Sequence, residues 1–568
     1  MQKGKLVMTD LIIVDAEKCV GCNACVRTCP APEANITKNL GNGRFVTTVN
    51  PAKCIACGEC VRNCSHGARD YIDDTKNVMD LINSGRKKVL VIAAPAIKTV
   101  FPDNWKCILE WFRTHGCPVF DVSFGADICT WAHLRAIQQK MVGNVISQPC
   151  AAIVKYIETY QPTLLRNLSP VHSPMSCGVT YIKKYLHRTD EILALSPCIA
   201  KKNEFVETGL VEYNVTFKKL TEWFDRQGIR IGTNSSSDFK YDFSGEQGQM
   251  GGIYPRVGGL RDNLWLHDPD INITTSEGVH KVYPELDMYA TLPEHKKPEV
   301  FDVLSCEFGC NVGAGTGTTR TLFDAMETMR EVEKEAKTRR KVSGGFFRGA
   351  EDKLFKRFDE ELRLNDFLRS YKAGEPTRQP SYAELDSIFN IMGKHTEQER
   401  HYNCHACGYK SCMEMATAIF RGLNTADNCI VHAKNVLLAH HSELAQKHEE
   451  LAEIADKCKE LSQRLSSDVD NISDMMGTIR DTNKQTTNRA DDVHNLLVSL
   501  KAYCDQFDSL DEDSMVQLKA ILKTTTDAFN AVNEFVDAAD NKTTVVDENV
   551  VEIKKLVENV NQVLNSVT

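Results

Sequence analysis

Sixteen of the 22 cysteines in this 568-residue chain fall into four sets of four, and few folds bring four thiols together four times over. The two most regular sets are consecutive. Cys19, Cys22, Cys25 and Cys29 are followed by Cys54, Cys57, Cys60 and Cys64, and each run reads C-x-x-C-x-x-C-x-x-x-C. Three thiolates at that spacing hold three corners of a 4Fe-4S cube from one tight loop, while the fourth cysteine reaches across to the neighbouring cube. The spacing therefore predicts one cluster on Cys19, Cys22, Cys25 and Cys64, and a second on Cys54, Cys57, Cys60 and Cys29. Disulfide pairs or zinc are the competing reading, but zinc sites seldom come as duplicated triple runs.

Pro30 follows Cys29, whereas Ser65 stands after Cys64, a change that bears on the local turn more than on ligation. This segment resembles a bacterial two-cluster ferredoxin domain, expected over residues 1–84. A chain of this length has room for three or more domains, and 42% hydrophobic content supports packed cores. Residues 1–14 lack the basic region, apolar stretch and small-residue cleavage site of a secretion signal, and no apolar run reaches membrane-spanning length. A cytoplasmic protein is expected, and in that reducing compartment abundant thiols point to metal ligation. A net charge of −9 argues against a nucleic-acid partner, and the basic run at 334–341 reads as a solvated helix face.

Between residues 85 and 372 short apolar runs alternate with helical stretches. Residues 88–94 read as a buried strand, 103–114 as a helix and 119–124 as another strand, which makes this region an α/β core. Three cysteine segments lie far apart in it, as when a site is assembled from several loop ends. They are Gln148-Pro149-Cys150, Ser196-Pro197-Cys198 leading to Lys201 and Glu204, and Ser305-Cys306 leading through Cys310 to Gly313 and Gly315. Together they offer soft thiolate ligands, one cation and glycines that allow close backbone approach.

These segments resemble the signatures of the catalytic domain of the iron-iron hydrogenases, P-C-x-x-K-x-x-E and C-x-x-x-C before a glycine-rich turn. Ala94-Pro95-Ala96-Ile97-Lys98, the run from Phe120 to Asp127, Ser173-Pro174-Met175 and Gly251-Gly252-Ile253-Tyr254 match further stretches in the family's order. The resemblance implies that Cys150, Cys198, Cys306 and Cys310 hold the 4Fe-4S part of an H-cluster. It further implies that Cys310 bridges to a diiron unit carrying CO, cyanide and a dithiolate. Lys201 would pair with one cyanide, backbone groups of Pro95 and Ala96 would line the other, and Glu204 would orient its neighbours. The implied reaction is the reversible interconversion of H2 with protons and electrons, with ferredoxin or another redox protein as electron partner.

The departures from the family pattern are informative. Productive members carry a proton-relaying cysteine before the first ligand, and here that position is Pro149, which cannot exchange a proton. The glutamates that the family carries after the F-G-A-D turn are replaced around Ala132, His133 and Ala136, and its methionines by Ser196 and Leu304. Slow turnover is the expected consequence. Cys177 is the leading candidate for a substitute proton donor, with His133 behind it; a buried free thiol is the plainer reading of Cys177.

The fourth set, Cys404, Cys407, Cys412 and Cys429, follows an expected hinge at 373–380. It resembles the small 4Fe-4S domain of corrinoid iron-sulfur proteins, expected over 381–436 with a helix at 413–420; zinc is the competing occupant. Beyond it Leu437, Leu444, Leu451, Cys458, Leu465, Ile472 and Ile479 recur every seven residues. That is a coiled-coil seam, with a mixed companion that includes Ile454 and Leu461. Residues 437–568 are therefore expected to form helices that make a homodimer or meet a signalling partner, with a loose resemblance to a chemotaxis-receptor module. The combined expectation is a multi-domain α+β chain: ferredoxin-like domain, α/β hydrogenase domain, small 4Fe-4S domain and helical coiled coil. Its expected function is that of a slow hydrogenase of sensory type. An ordinary ferredoxin-linked hydrogenase and a non-catalytic iron-sulfur electron-transfer protein are the competing readings.

Overall fold

The computed structural model describes residues 11–567, apart from 32, 42, 142, 241–242, 343–352, 376 and 507–510. The chain divides into two compact units, Met1–Lys434 and Asn435–Thr568. It is a mixed α/β protein with a ferredoxin-like segment, a hydrogenase-like central domain and a C-terminal helical region.

In the ferredoxin-like segment the strand Ile12–Val14 pairs antiparallel with Arg69–Tyr71, and Asn35–Asn39 with Phe45–Val49. Each cysteine run ends its triple in a one-turn helix, Ala24–Arg27 carrying Cys25 and Glu59–Arg62 carrying Cys60. Both helices are entered through a left-handed residue, Asn23 at φ 58° and Gly58 at φ 79°. Gly58 is required on a second count, because a Cβ there would lie 2.4 Å from Ala314 and 2.7 Å from Ile199 of the central domain.

The central domain holds two parallel sheets. One is ordered Val119–Asp121, Leu90–Ala93, Ile192–Ser196, Tyr213–Thr216, and the other Ile273–Glu277, Val300–Leu304, Val145–Ile146. Their central strands are buried along their whole length, as parallel strands covered on both faces must be. The expected strand 88–94 is thus found at Leu90–Ala93, and the expected helix 103–114 at Trp105–Thr114. The expected strand 119–124 stops early. Asp121 caps the next helix, Val122–Gln138, by accepting from the Ser123 amide at 2.9 Å, so Val122, Ser123 and Phe124 are helical. That helix packs backbone to backbone on Pro174–Lys184, where a Cβ on Gly125 would meet the Pro174 carbonyl at 2.3 Å.

The basic run at 334–341 lies on the helix Leu322–Val342, where Lys337 pairs with Glu333 at 2.7 Å. The segment expected as a hinge is tied down instead. The Gly374 amide donates to the Glu158 carbonyl at 2.7 Å, Thr377 receives Lys53 Nζ at 2.8 Å, and Arg378 pairs with Glu384 at 2.7 Å. Irregular composition here records an extended tether rather than freedom; Pro376 lies outside the described residues. The helix expected at 413–420 is observed at Cys412–Phe420.

The second unit is a pair of antiparallel helices. Ile430–Cys504 runs into it from the first unit, and Glu512–Val567 returns, with Asp470 against Lys554 at 2.7 Å and His494 stacked near Phe529. The seven-residue period is present, but the buried stripe differs from the expected seam. Ala455, Ser462, Val469 and Met476 are buried, facing the period of Leu522, Phe529, Val536, Thr543, Val550 and Val557 on the returning helix. Leu437, Leu444, Leu451, Leu465, Ile472 and Ile479 stay 41–70% exposed. Smaller side chains let the two backbones approach, so the hairpin takes the Ala/Ser/Val/Met stripe and leaves the leucine stripe outward.

Candidate functional site

The C-terminal ends of the parallel strands converge on one cavity, the usual place for a site in such sheets. Ala94, Pro95 and Ala96 follow Leu90–Ala93; Pro197 and Cys198 follow Ile192–Ser196; Ser305 and Cys306 follow Val300–Leu304; Pro149 and Cys150 follow Val145–Ile146. Cys310 joins them from the next turn, so the structure brings all four cysteines of the three scattered segments to one wall. Gly309 makes this possible. At φ 79° it turns the chain so that the Cys310 amide donates to the Pro255 carbonyl at 2.7 Å, and a Cβ on Gly309 would sit 2.3 Å from that oxygen.

The electrostatics of the wall are simple. Burial and the neighbouring Cys150 push the Cys198 thiol up to about 11, against the pull of Lys201. Burial with Cys150 and Cys198 pushes Cys310 up to about 12. Lys201 is the one charged side chain among the described lining residues. Its ammonium, 10% exposed, is held by Glu204 at 2.5 Å. Glu204 does not line the cavity; it also accepts from Ser173 at 2.5 Å and Ser176 at 2.6 Å. Burial raises its carboxyl, but the charges of Lys201 and Arg369 and the bonds from Lys201 and Ser173 outweigh this and bring it to about 2.

Pro149 and Leu304 face the cavity, whereas Ser196 turns away to donate to Asn214 Oδ1 at 2.7 Å. Cys177 does not line it either. Pro174 and Met175 do so from the same helix, while the Cys177 thiol lies one turn behind and donates to the His172 carbonyl at 3.2 Å. Behind the wall Cys129 donates to the same carbonyl at 3.3 Å and approaches His133 Nδ1 at 3.6 Å. His133 Nε2 meets Gln148 Oε1 and Ser169 Oγ, each at 2.9 Å. Cys129 was not anticipated from the sequence, although its i,i+4 spacing from His133 after the F-G-A-D turn was a readable signal.

The other cysteine sets are also brought together. Cys19, Cys22, Cys25 and Cys64 line one small cavity, joined by Arg69, and Cys404, Cys407, Cys412 and Cys429 line another. Cys29 packs against the same apolar cluster as Cys54, Cys57 and Cys60. The sets lie in sequence through the molecule. Cys407, Cys412 and Cys429 share an apolar cluster with Cys25 and Val26, and Asn23 Nδ2 donates to Asn428 Oδ1 at 3.0 Å. Cys54, Cys57 and Cys60 share another with Cys150 and Cys198, and the Tyr283 ring lies near Cys57 and Cys150. Among the described residues no helix is long and apolar enough to cross a membrane.

Comparison with known proteins agrees with this geometry. Residues 87–283 match the family described as the iron only hydrogenase large subunit, C-terminal domain; 18–68 match a 4Fe-4S dicluster domain, and 401–431 a putative Fe-S cluster family. The chain is 23% identical over 380 residues to a periplasmic Fe hydrogenase large subunit of Nitratidesulfovibrio vulgaris, covering 55% of this chain and 88% of that protein. Among solved structures, an FeFe-hydrogenase HydA1 variant from Chlamydomonas reinhardtii superposes with a TM-score of 0.40 at 14% identity, over 54% of this chain and all of that one. A second, an apo form of the same enzyme, gives a TM-score of 0.38 over the same shares. In its central domain, flanked by matches to iron-sulfur domains, the chain is similar to the iron-iron hydrogenase family over residues 87–283.

Proposed function

We propose that this chain is a slow iron-iron hydrogenase of the cytoplasm that reports hydrogen or redox state through its C-terminal helices. The observation that carries the reading is Pro149 in the cavity wall beside four convergent cysteines: a complete ligand set with no exchangeable proton next to its first member. In this reading Cys150, Cys198, Cys306 and Cys310 hold the H-cluster, which supplies the interconversion of H2 with protons and electrons when bound. Lys201 offers its cation to an anionic ligand, Pro95 and Ala96 offer backbone groups, and Glu204 keeps Lys201 aimed into the cavity. The apolar remainder of the wall excludes water.

Three electron-carrying 4Fe-4S clusters would sit on Cys404, Cys407, Cys412 and Cys429, on Cys19, Cys22, Cys25 and Cys64, and on Cys54, Cys57, Cys60 and Cys29. Their order through the molecule favours electron traffic between a redox protein such as ferredoxin and the cavity. Cys177 is the proposed proton donor, supported by its place one turn behind the cavity wall, where burial and the neighbouring Cys129 hold its thiol protonated. The proposed domains are 1–84, 85–372, 381–436 and 437–568. Signalling is supported by the chain itself. Cys429 directly precedes the helix Ile430–Cys504, and the Ala433 amide donates to its carbonyl at 2.9 Å, so the last ligand of the distal set is the first turn of the output helix. The exposed leucine stripe of that helix supports a homodimer, with a second copy covering it.

Infrared spectroscopy of the full chain after maturation with a diiron unit tests the reading. Expected are CO and cyanide bands that shift under H2 while hydrogen production stays slow; no bands would reject both hydrogenase readings, and fast production would reject the sensory one. Cys177→Ala should slow proton-dependent turnover while leaving the bands in place.

A further inference from the structure

Arg69, the first residue of the strand Arg69–Tyr71, is a buried charge: it is 6% exposed, and among the described residues no carboxylate lies within ion-pair distance of it. Its Nη2 donates to Asn35 Oδ1 at 2.9 Å and to the Thr47 carbonyl at 3.0 Å, both neutral. A buried guanidinium with only neutral partners is costly, and it persists where an anion compensates it. The neighbours that can become anionic are cysteines. Arg69 lines the cavity of Cys19, Cys22, Cys25 and Cys64, and it lies close enough to Cys60 of the other set for its charge to act on that thiol. Its charge also acts on Cys25, Cys29 and Cys54. Asn35, which holds the guanidinium, also reaches the Cys25 carbonyl at 3.5 Å.

We infer that Arg69 is the shared counter-ion of both N-terminal clusters and holds their two reduction potentials up together. The inference rests on the reading that these cysteines hold 4Fe-4S clusters. Adding an electron makes a cluster more negative, so a fixed cation beside its thiolates favours the reduced form, and hydrogen bonds to the sulfurs act in the same direction. One cation whose charge acts on both sets shifts both potentials and keeps them close, which suits a pair of clusters that pass electrons in either direction.

The test is a redox titration of the full chain followed by electron paramagnetic resonance, with iron counted per chain. In Arg69→Gln both N-terminal potentials should fall, each by about tenfold in the reduction equilibrium, or about 59 mV for one electron. The distal cluster on Cys404, Cys407, Cys412 and Cys429 should not move, and Arg69→Lys should recover most of the shift. Asn35→Asp, which sets a carboxylate against Nη2, should lower the same two potentials with Arg69 intact, and it decides the matter if Arg69→Gln loses iron. Unchanged potentials in variants that keep their iron, or a fall in only one cluster, would overturn the inference. Iron missing from the N-terminal cages of the unaltered chain would overturn the cluster reading itself, and the inference with it.

Discussion

The helices Val122–Gln138 and Pro174–Lys184 each present two faces, and the faces differ in kind. One face supplies Val122, Ala126, Pro174 and Met175 to the cavity, where the four cysteines and Lys201 converge. The other supplies Cys129, His133 and Cys177 to a buried polar cluster with Gln148, Ser169 and the His172 carbonyl. Histidine and further thiol groups therefore lie one turn behind the wall, while the wall itself offers Lys201, Tyr254 and Ser305 besides its cysteines. Polar contacts between the two run through Lys201 with Glu204, whose carboxylate reaches back to Ser173 and Ser176, and through the Tyr254 hydroxyl, which meets Thr130 Oγ1 at 2.8 Å. The cavity and the buried polar cluster are thus distinct features built on opposite faces of the same two helices.

Breaking the contact of Lys201 with Glu204 should have the largest effect. The Glu204 carboxyl, brought to about 2 in the folded chain from an ordinary 4.5, contributes stability that is fully present above pH 4.5 and is lost as the pH falls through 2. The difference corresponds to about 3 kcal/mol. Glu204→Gln should remove that contribution at neutral pH and flatten the acid limb of a thermal-melt series, and a variant as stable as the parent would show that Lys201 finds other support. Sharpening the comparison calls for the opposite move. Pro149→Cys puts an exchangeable proton into the wall, and a positioned proton donor is worth about a hundredfold or more in favourable cases. Hydrogen production by the matured protein should rise at least about tenfold. An unchanged rate would locate the slow step elsewhere, in the polar cluster or in electron supply.

Much of this arrangement was legible in the sequence, for reasons that differ from element to element. The N-terminal cysteine runs are local, so spacing alone predicts the exchange of Cys29 and Cys64 between cages, and the cavity lined by Cys19, Cys22, Cys25 and Cys64 is what that spacing requires. The central set spans residues 150 to 310, and only its resemblance to a family groups Cys150 with Cys306 in advance. Where strand turns to helix at Asp121 the apolar pattern is silent, because Val122 and Phe124 are buried in either conformation; the capping carboxylate decides. In the helical hairpin a seven-residue period carries two adjacent stripes, and the period does not say which one a partner helix covers. The orientation of Cys177 was out of reach for a similar reason, since a helix places residues 174, 175 and 177 on different faces only once its neighbours are known.

The smallest effect tests whether the hidden face is more than packing. Burial raises the Cys129 thiol, but the hydrogen bond from Cys177 and the charge of His133 outweigh burial and bring it below the ordinary thiol range. Burial lowers His133, but the charge of Cys129 and its hydrogen bonds raise it on balance. The two shifts share one cause, the approach of Cys129 Sγ to His133 Nδ1 at 3.6 Å. For the imidazole, a folded value above the unfolded one means stability that is present below the ordinary histidine range and lost as the pH rises through the folded value. Cys129→Ser keeps a hydroxyl in place of the thiol but cannot form the anion, so His133 should fall below the ordinary histidine range under burial alone. Nitrogen NMR of labelled histidines, with His133→Gln to assign the signal, reads this directly, and overall stability should change by only about 1 kcal/mol. A His133 signal that titrates identically in both proteins would mean that the pair is neutral, and the cluster behind the wall would then be packing rather than a proton store.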